Sequence, residues 1–224
     1  MKPRLLDLFC GAGGAAMGYH RAGFDVVGVD IVRQKHYPFE FHQADALAFP
    51  LDGFDAIHAS PPCQGYANVT RWRGNQDDHP RLIEPLRARL LGHTYVIENV
   101  MDAPLREPTM LCGSMFGLPI RRHRIFECSF TLEAPPKCAH RKWHLAFMHK
   151  GERAYADAME CEWMSGKVAR QAIPPAYTQW IGRQLKDALD NSASFFGRQV
   201  QASLALADSG PSLSKPATPL PHPK

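Results

Sequence analysis

The sequence predicts an α/β protein built on a doubly wound, mostly parallel sheet, and three observations carry that expectation. Short apolar runs such as Leu5-Leu6-Asp7-Leu8-Phe9, Val26-Val27-Gly28-Val29 and Thr94-Tyr95-Val96-Ile97 have the near-continuous hydrophobicity of strands buried on both faces. The first run enters a glycine turn, Cys10-Gly11-Ala12-Gly13-Gly14, and then a helical stretch, Ala15 to Ala22, which Gly23-Phe24 breaks before the second run begins. Strand, glycine turn, helix and strand in that order open a doubly wound sheet. The runs end on chemistry-bearing residues: Asp30 after the second and Glu98-Asn99 after the later one.

Size and composition fit this reading. A chain of 224 residues buries one sizeable core. Hydrophobic residues at 45% and charged residues at 21% are the balance of a soluble globular protein. No apolar run approaches the roughly 20 residues of a membrane helix. The start, Met1 to Asp7, lacks the apolar core of a signal peptide, so a cytoplasmic, monomeric protein without membrane contact is expected. The net charge of +4 is compatible with a polyanionic partner without requiring one. Cysteines 10, 63, 112, 128, 138 and 161 form no CxxC pair, which argues against a disulfide framework.

Further elements follow in order. Phe39 to Gln43 reads as a third short strand, and Asp55 to Ala59 as a fourth. The latter meets Ser60-Pro61-Pro62-Cys63-Gln64. Two prolines cannot continue a central strand, so the chain leaves the sheet there and holds Cys63 on a stiff corner. A thiol on a rigid loop at the carboxyl edge of a sheet is well placed to be a nucleophile. Gly65 to Pro80 reads as a mobile polar loop in which Arg71 and Arg73 flank Trp72, a pattern suited to a nucleic-acid backbone and exposed bases. Arg81 to Leu91 reads as a helix kinked by Pro85. The strand after it delivers Glu98 to the edge that holds Cys63, where desolvation raises a carboxyl pKa and suits it to acid chemistry. Arg121-Arg122-His123-Arg124 precedes a strand, Ile125 to Glu127, and Arg124 beside that strand needs an anionic or carbonyl partner.

From Cys128 to Lys167 periodicity weakens into an irregular basic insert bearing Arg141, Lys142 and Trp143. Cys128, Cys138 and His140 fall at no standard zinc spacing, and no metal is expected. A last helix starts in Gln171 to Tyr177 and runs to about Leu189. Residues 191–224 read as a disordered tail, with at most a weak helix over Phe195 to Leu206. The expected organisation is a catalytic domain from 1–127 and 167–190, a reduced insert over 128–166, and the tail.

Taken together, four segments resemble the cytosine-C5 DNA methyltransferase family. Asp7-Leu8-Phe9-Cys10-Gly11-Ala12-Gly13-Gly14 resembles its cofactor-binding first motif. Pro61-Pro62-Cys63-Gln64 resembles its catalytic motif, Glu98-Asn99-Val100 matches its Glu-Asn-Val motif, and Arg122-His123-Arg124 resembles the end of its arginine motif. The compact Arg121 to Glu127 and Gln171 to Tyr177 segments look like the short phage-encoded branch.

The resemblance implies a Rossmann-like methyltransferase fold, S-adenosyl-L-methionine as methyl donor, and DNA as partner, with its target cytosine flipped out or already unpaired. It implies cofactor contacts from Asp7, Phe9, Cys10, Gly11, Gly13, Gly14, Asp30, Ile31, Asp45, Ala46, Pro62 and Gln171. Cys63, Glu98, Arg124 and Arg122 would act on the base, with the arginines and the cofactor together lowering the thiol pKa. Gln64, Arg71, Arg73, Arg141 and Lys142 would face DNA. The chain departs from the family pattern at Ile120, where a Gln is usual, at Arg170-Gln171, where Gly-Asn is usual, and in the small size of the recognition insert. That size leaves open an RNA or free-pyrimidine substrate, or a catalytically weak DNA-binding protein.

Overall fold

The computed structural model describes residues 1–146 and 152–208. By internal contacts it divides into Met1–Leu189 and Asp190–Lys224, and every site residue lies in the first unit. Among the described residues nine strands are present: β1 (Arg4–Leu8), β2 (Asp25–Asp30), β3 (Glu40–Gln43), β4 (Ala56–Ala59), β5 (Tyr95–Asn99), β6 (Thr109–Leu111), β7 (Ile120–Arg121), β8 (Arg124–Cys128) and β9 (Leu145–Ala146). Seven form one sheet in the order β3-β2-β1-β4-β5-β8-β6, while β7 and β9 make a separate ladder. The first five strands of that order are parallel. β8 runs antiparallel between β5 and β6.

Period-two alternation sends the side chains of β1 to two cores. Leu5 packs with Val26, Val96 and Phe126 against Ala15, Ala16 and Tyr19 of α1 (Gly14–Arg21) and against Tyr177, Ile181 and Leu185 of α6 (Pro175–Asp208). Leu6 and Leu8 pack with Val27, Val29 and Ile57 against Leu86 of α3 (Ile83–Arg89) and Leu90 just beyond it. Burial on both faces explains the unbroken apolar runs of the sequence. Strand order reverses between β1 and β4, so the carboxyl ends of these two strands border the crevice where doubly wound sheets bind ligands.

Four expectations change. The stretch from Gly65 to Pro80 is structured: it contains α2 (Asn68–Arg73) and a 3-10 turn, Gln76–Asp78. Pro85 lies in the first turn of α3, where a missing N–H is tolerated, so it need not kink the helix. The insert is less irregular than its periodicity suggests. It holds α4 (Glu152–Ala158) and α5 (Gly166–Ala169), and Tyr155, Met159, Cys161 and Met164 form a core of their own with Leu118 and Ile120. Finally, α6 continues past Leu189 to Asp208, through a segment with four alanines, the strongest helix former. Residues 209–224 of the expected tail lie outside the described residues.

Candidate active site

The carboxyl ends of β1, β2, β4 and β5 meet at one edge, and each delivers a polar or turn-forming segment there. β1 passes into Phe9, whose φ of 58° lies in the left-handed region, then into Gly11 (φ 50°) and Gly13 (φ 85°), the residue that caps α1. A strained non-glycine at a turn is a mark of functional sites. The backbone N–H of Gly11 donates to Asp30 Oδ2 at 3.0 Å, and that of Val32 to Asp30 Oδ1 at 2.9 Å, so the carboxylate at the end of β2 is fixed against the glycine turn. A Cβ built on Gly11 meets nothing within 4 Å, so the turn borders open space on that side. Ile31, next along, is 70% exposed. Asp45 Oδ1 accepts from the Leu47 N–H at 2.8 Å, the turn role open to any aspartate in that setting.

β4 leads to the proline corner. Ser60 N–H donates to Leu8 O at 3.1 Å, tying the corner to β1. Asn99 Nδ2 donates to Pro61 O at 2.9 Å, tying it to β5. Beyond the prolines, Cys63 O accepts from the N–H groups of Tyr66 and Ala67, both at 2.9 Å, so the thiol sits on a closed turn.

Glu98 stands inside β5 and is buried. Arg124, the first residue of β8, puts Nε 3.1 Å from Glu98 Oε1. That contact is an ion pair by distance, without the alignment of a hydrogen bond. Burial raises the Glu98 pKa, against the opposing pull of Arg124, of the Ser60 hydroxyl bonded to it, and of Arg122. This is the direction the sequence predicts. Cys63 behaves differently. Arg124 and Arg122 do act to lower its pKa, but burial outweighs them and the thiol is pushed up. The sequence expects the two arginines and the cofactor together to lower this pKa; within the chain itself desolvation exceeds the attraction of the arginines.

Arg122 is buried, donates from Nη1 to Tyr155 Oη at 3.0 Å, and leaves Nε and Nη2 without partners. Tyr177 Oη donates to the Arg122 backbone oxygen. Unpaired guanidinium donors in a buried site call for an anionic or carbonyl partner.

Other expected residues separate into two groups. Gln64, Arg71, Arg73, Arg141 and Lys142 are all solvent-exposed. Asp7, Cys10 and Ala46 are buried. Tyr37 Oη donates to Asp7 Oδ2 at 3.5 Å while Oδ1 is unpaired, and Ala46 packs in the core with Leu6. The Asp7 side chain is thus fully buried at the end of β1, and that of Ala46 belongs to the core. Gly14 is also a packing residue, since a Cβ there would lie 2.4 Å from Ile173 O. Exposed Gln171 is thus two residues from a segment pressed onto the glycine turn.

Sequence reasoning missed a buried chain of polar groups behind the site. Tyr19 Oη lies 3.0 Å from His58 Nδ1, and His58 Nε2 lies 3.0 Å from Ser60 Oγ, whose hydroxyl in turn bonds Glu98. Complete burial lowers the His58 pKa to about 3, so the ring is neutral and passes one donor and one acceptor along the chain. His58 reads in the sequence as one more residue of an apolar run, and nothing local marks it. A groove of about 670 Å³, lined by Tyr95, Glu127 and Cys128 among others, opens at the amino end of β5 and contains none of Cys63, Glu98, Arg122 or Arg124.

The fold is shared with a solved methyltransferase. A methyltransferase from S. pombe, Dnmt2, superimposes with a TM-score of 0.54 over 84% of this chain and 99% of its own, at 13% sequence identity. The Entamoeba histolytica methyltransferase EhMeth aligns with a TM-score of 0.45 over 62% of this chain and 58% of its own, at 16% identity. Residues 3–85 match the C-5 cytosine-specific DNA methylase family. Type II methyltransferase M.FnuDI of Fusobacterium nucleatum is 30% identical over 89 residues, 35% of this chain and 26% of that relative's length. The chain thus matches about a quarter of that relative's length.

Proposed function

We propose that this chain is a DNA (cytosine-5-)-methyltransferase. The observation that carries the reading is the convergence, at one buried sheet edge, of a thiol, a carboxyl with raised pKa and two arginines beside an open glycine turn. C5 of cytosine is a poor nucleophile, and addition of the Cys63 sulfur to C6 makes the ring an enamine with a reactive C5. Glu98 is suited to this step because burial favours its protonated form. A neutral carboxyl donates a proton to N3 and drains charge from the ring as sulfur adds. Arg124, fixed beside Glu98, orients it and donates to O2. The unpaired Nε and Nη2 of Arg122 supply further positive charge. After methylation a base removes the C5 proton, and elimination returns the Cys63 sulfur.

S-adenosyl-L-methionine supplies the methyl group. The residues present fit it: the Gly11 side of the turn faces open space, and Asp30 is fixed against the turn at the end of β2, the usual place for a carboxylate that binds ribose hydroxyls. Phe9, Ile31, Pro62 and Gln171 are the exposed or half-buried candidates around it. Cytosine C6 is shielded inside a duplex, so the target base has to be flipped out or unpaired. Gln64, Arg71 and Arg73, exposed on and after the Cys63 corner, and Arg141 and Lys142 on the insert, suit the phosphate backbone.

Transfer of a labelled methyl group to duplex DNA, single-stranded DNA, RNA and dCMP, side by side, tests the reading. Incorporation into DNA at C5 is expected, and incorporation only into RNA or dCMP would replace the substrate class. Cys63→Ser is expected to lower transfer by roughly a thousandfold or more while leaving cofactor affinity nearly unchanged. Wild-type turnover by that variant would remove Cys63 from the reaction.

A further inference from the structure

Four side chains of metal-binding type gather where the insert meets the sheet, and no step above uses them. Cys112 follows β6, His123 stands between β7 and β8, and Cys138 and His140 lie on the coil after β8. One donor atom from each lies within 4.8 Å of every other. Cys112 Sγ is 3.2 Å from His140 Nε2 and 3.4 Å from Ser114 Oγ. Cys138 Sγ is 3.8 Å from His123 Nε2, and the two imidazole centroids are 4.9 Å apart. Zinc with sulfur at about 2.3 Å and nitrogen at about 2.0–2.1 Å demands donor separations of roughly 3.3–3.8 Å at the corners of a tetrahedron. The two thiol–imidazole contacts, 3.2 and 3.8 Å, bracket that range.

We propose that Cys112, His123, Cys138 and His140 bind a structural zinc ion. Two thiolates and two imidazoles are a soft, tetrahedral donor set that favours zinc over magnesium or calcium. Four protein ligands leave no open position for a substrate or water, so the role is structural. Each thiol gives up its proton on binding, and the two thiolates cancel the charge of the ion.

The coil needs such a staple. Between residues 129 and 144 only Pro135 and His144 are buried, so this stretch has almost no core of its own. The ion would clamp it to Cys112 and to His123, the residue between Arg122 and Arg124. The recognition insert would then be anchored to the segment that carries both arginines. The ligand spacing, Cys112-x10-His123-x14-Cys138-x-His140, follows no standard zinc pattern, which is why spacing alone predicts no metal. Cys128, considered from sequence, is not among the four.

The test uses the full chain purified without chelator, and needs no substrate, so it is independent of the proposed methyl transfer. Elemental analysis is expected to find about one zinc per chain. Exchange with cobalt(II) is expected to give the strong visible absorption of a tetrahedral sulfur–nitrogen site. Cys138→Ser and His140→Ala, both on the coil, are expected to lose the metal and lower Tm, whereas Cys128→Ser keeps it. The proposal is overturned by a wild-type chain that holds no zinc and gives no tetrahedral cobalt spectrum, or by Cys138→Ser binding as much metal as wild type. A Cys112–Cys138 disulfide in a chain that takes up no zinc after reduction would overturn it equally.

Discussion

The five parallel strands and the antiparallel edge beside them are held by different forces. β1, β2, β4 and β5 sit between two apolar layers, and their positions follow from burying Leu, Ile and Val on both faces, while β3 is the exposed edge strand. At the edge formed by β6 and β8, long-range polar pairs replace much of that packing. Glu127 of β8 accepts from Arg87 Nε and Nη2 of α3, both at 2.8 Å, and also from Tyr95 Oη and the Arg106 N–H. Arg122, Tyr155 and Tyr177 form a second such cluster, and Cys112 with His123, Cys138 and His140 a third. The glycine-turn residues therefore rest on a hydrophobic frame, while both arginines that face Glu98 and Cys63 rest on polar contacts. Damage to each half should look different.

The sharpest break is expected at the edge. Arg87 and Glu127 are both buried and bonded in a two-point fork. Arg87→Met leaves the Glu127 carboxylate without its cation and is expected to cost about 3 kcal/mol, the scale for removing one partner of a buried pair. Urea denaturation measures it, and a loss below about 0.5 kcal/mol, the scale of an ordinary surface pair, would mean that solvent already screens this one. Because β8 starts at Arg124, the variant is also expected to lower methyl transfer more than cofactor affinity.

In the parallel half a change of similar kind should cost less. A Cβ at Gly28 of β2 would lie 2.3 Å from Tyr37 Cζ and 2.5 Å from its hydroxyl oxygen. Gly28→Ala must push that ring away from Asp7, and overpacking of this sort costs about 1–3 kcal/mol. If β2 instead tolerates the methyl group with no change in Tm, Tyr37 is free to swing out and does not brace the turn.

This contrast also explains what could be read from the sequence. The parallel strands announce themselves because a strand buried on both faces is apolar throughout, and the residue that ends such a run falls at the ligand-binding edge. Asp30, Cys63 and Glu98 were legible for that reason. The polar partners were not. Tyr19, His58 and Ser60 form one chain although Tyr19 and His58 are 39 residues apart, and no local spacing encodes the contact. The same holds for Cys112, which meets His140 across 28 residues. The helices of the insert were hidden for a different reason: α4 and α5 are only seven and four residues long, too short to establish a helical period. For the thiol, the arginines were visible in the sequence, but the burial that opposes them was not.

The smallest expected effect joins the two halves, because it concerns a charged residue inside the apolar one. Asp7 is completely buried on β1, with Oδ1 unpaired. Burial, reinforced by Asp30, raises its pKa well above the ordinary value of 3.8. A carboxyl whose folded pKa is raised binds its proton more tightly in the native state than in the unfolded chain. The stability it contributes is fully present below the unfolded pKa near 3.8 and is lost as pH rises through the folded value. Asp7→Asn has no such proton to lose. Relative to the variant, wild-type Tm is therefore expected to decline toward alkaline pH by a few degrees, at about 2–4 °C per kcal/mol for a chain of this size. The offset between the curves at acid pH depends on how the added amide N–H groups are accommodated, so the slope is the readout. Parallel curves from pH 5 to 9 would show that Asp7 stays ionised, held by Tyr37 and the α1 backbone against the cost of burial.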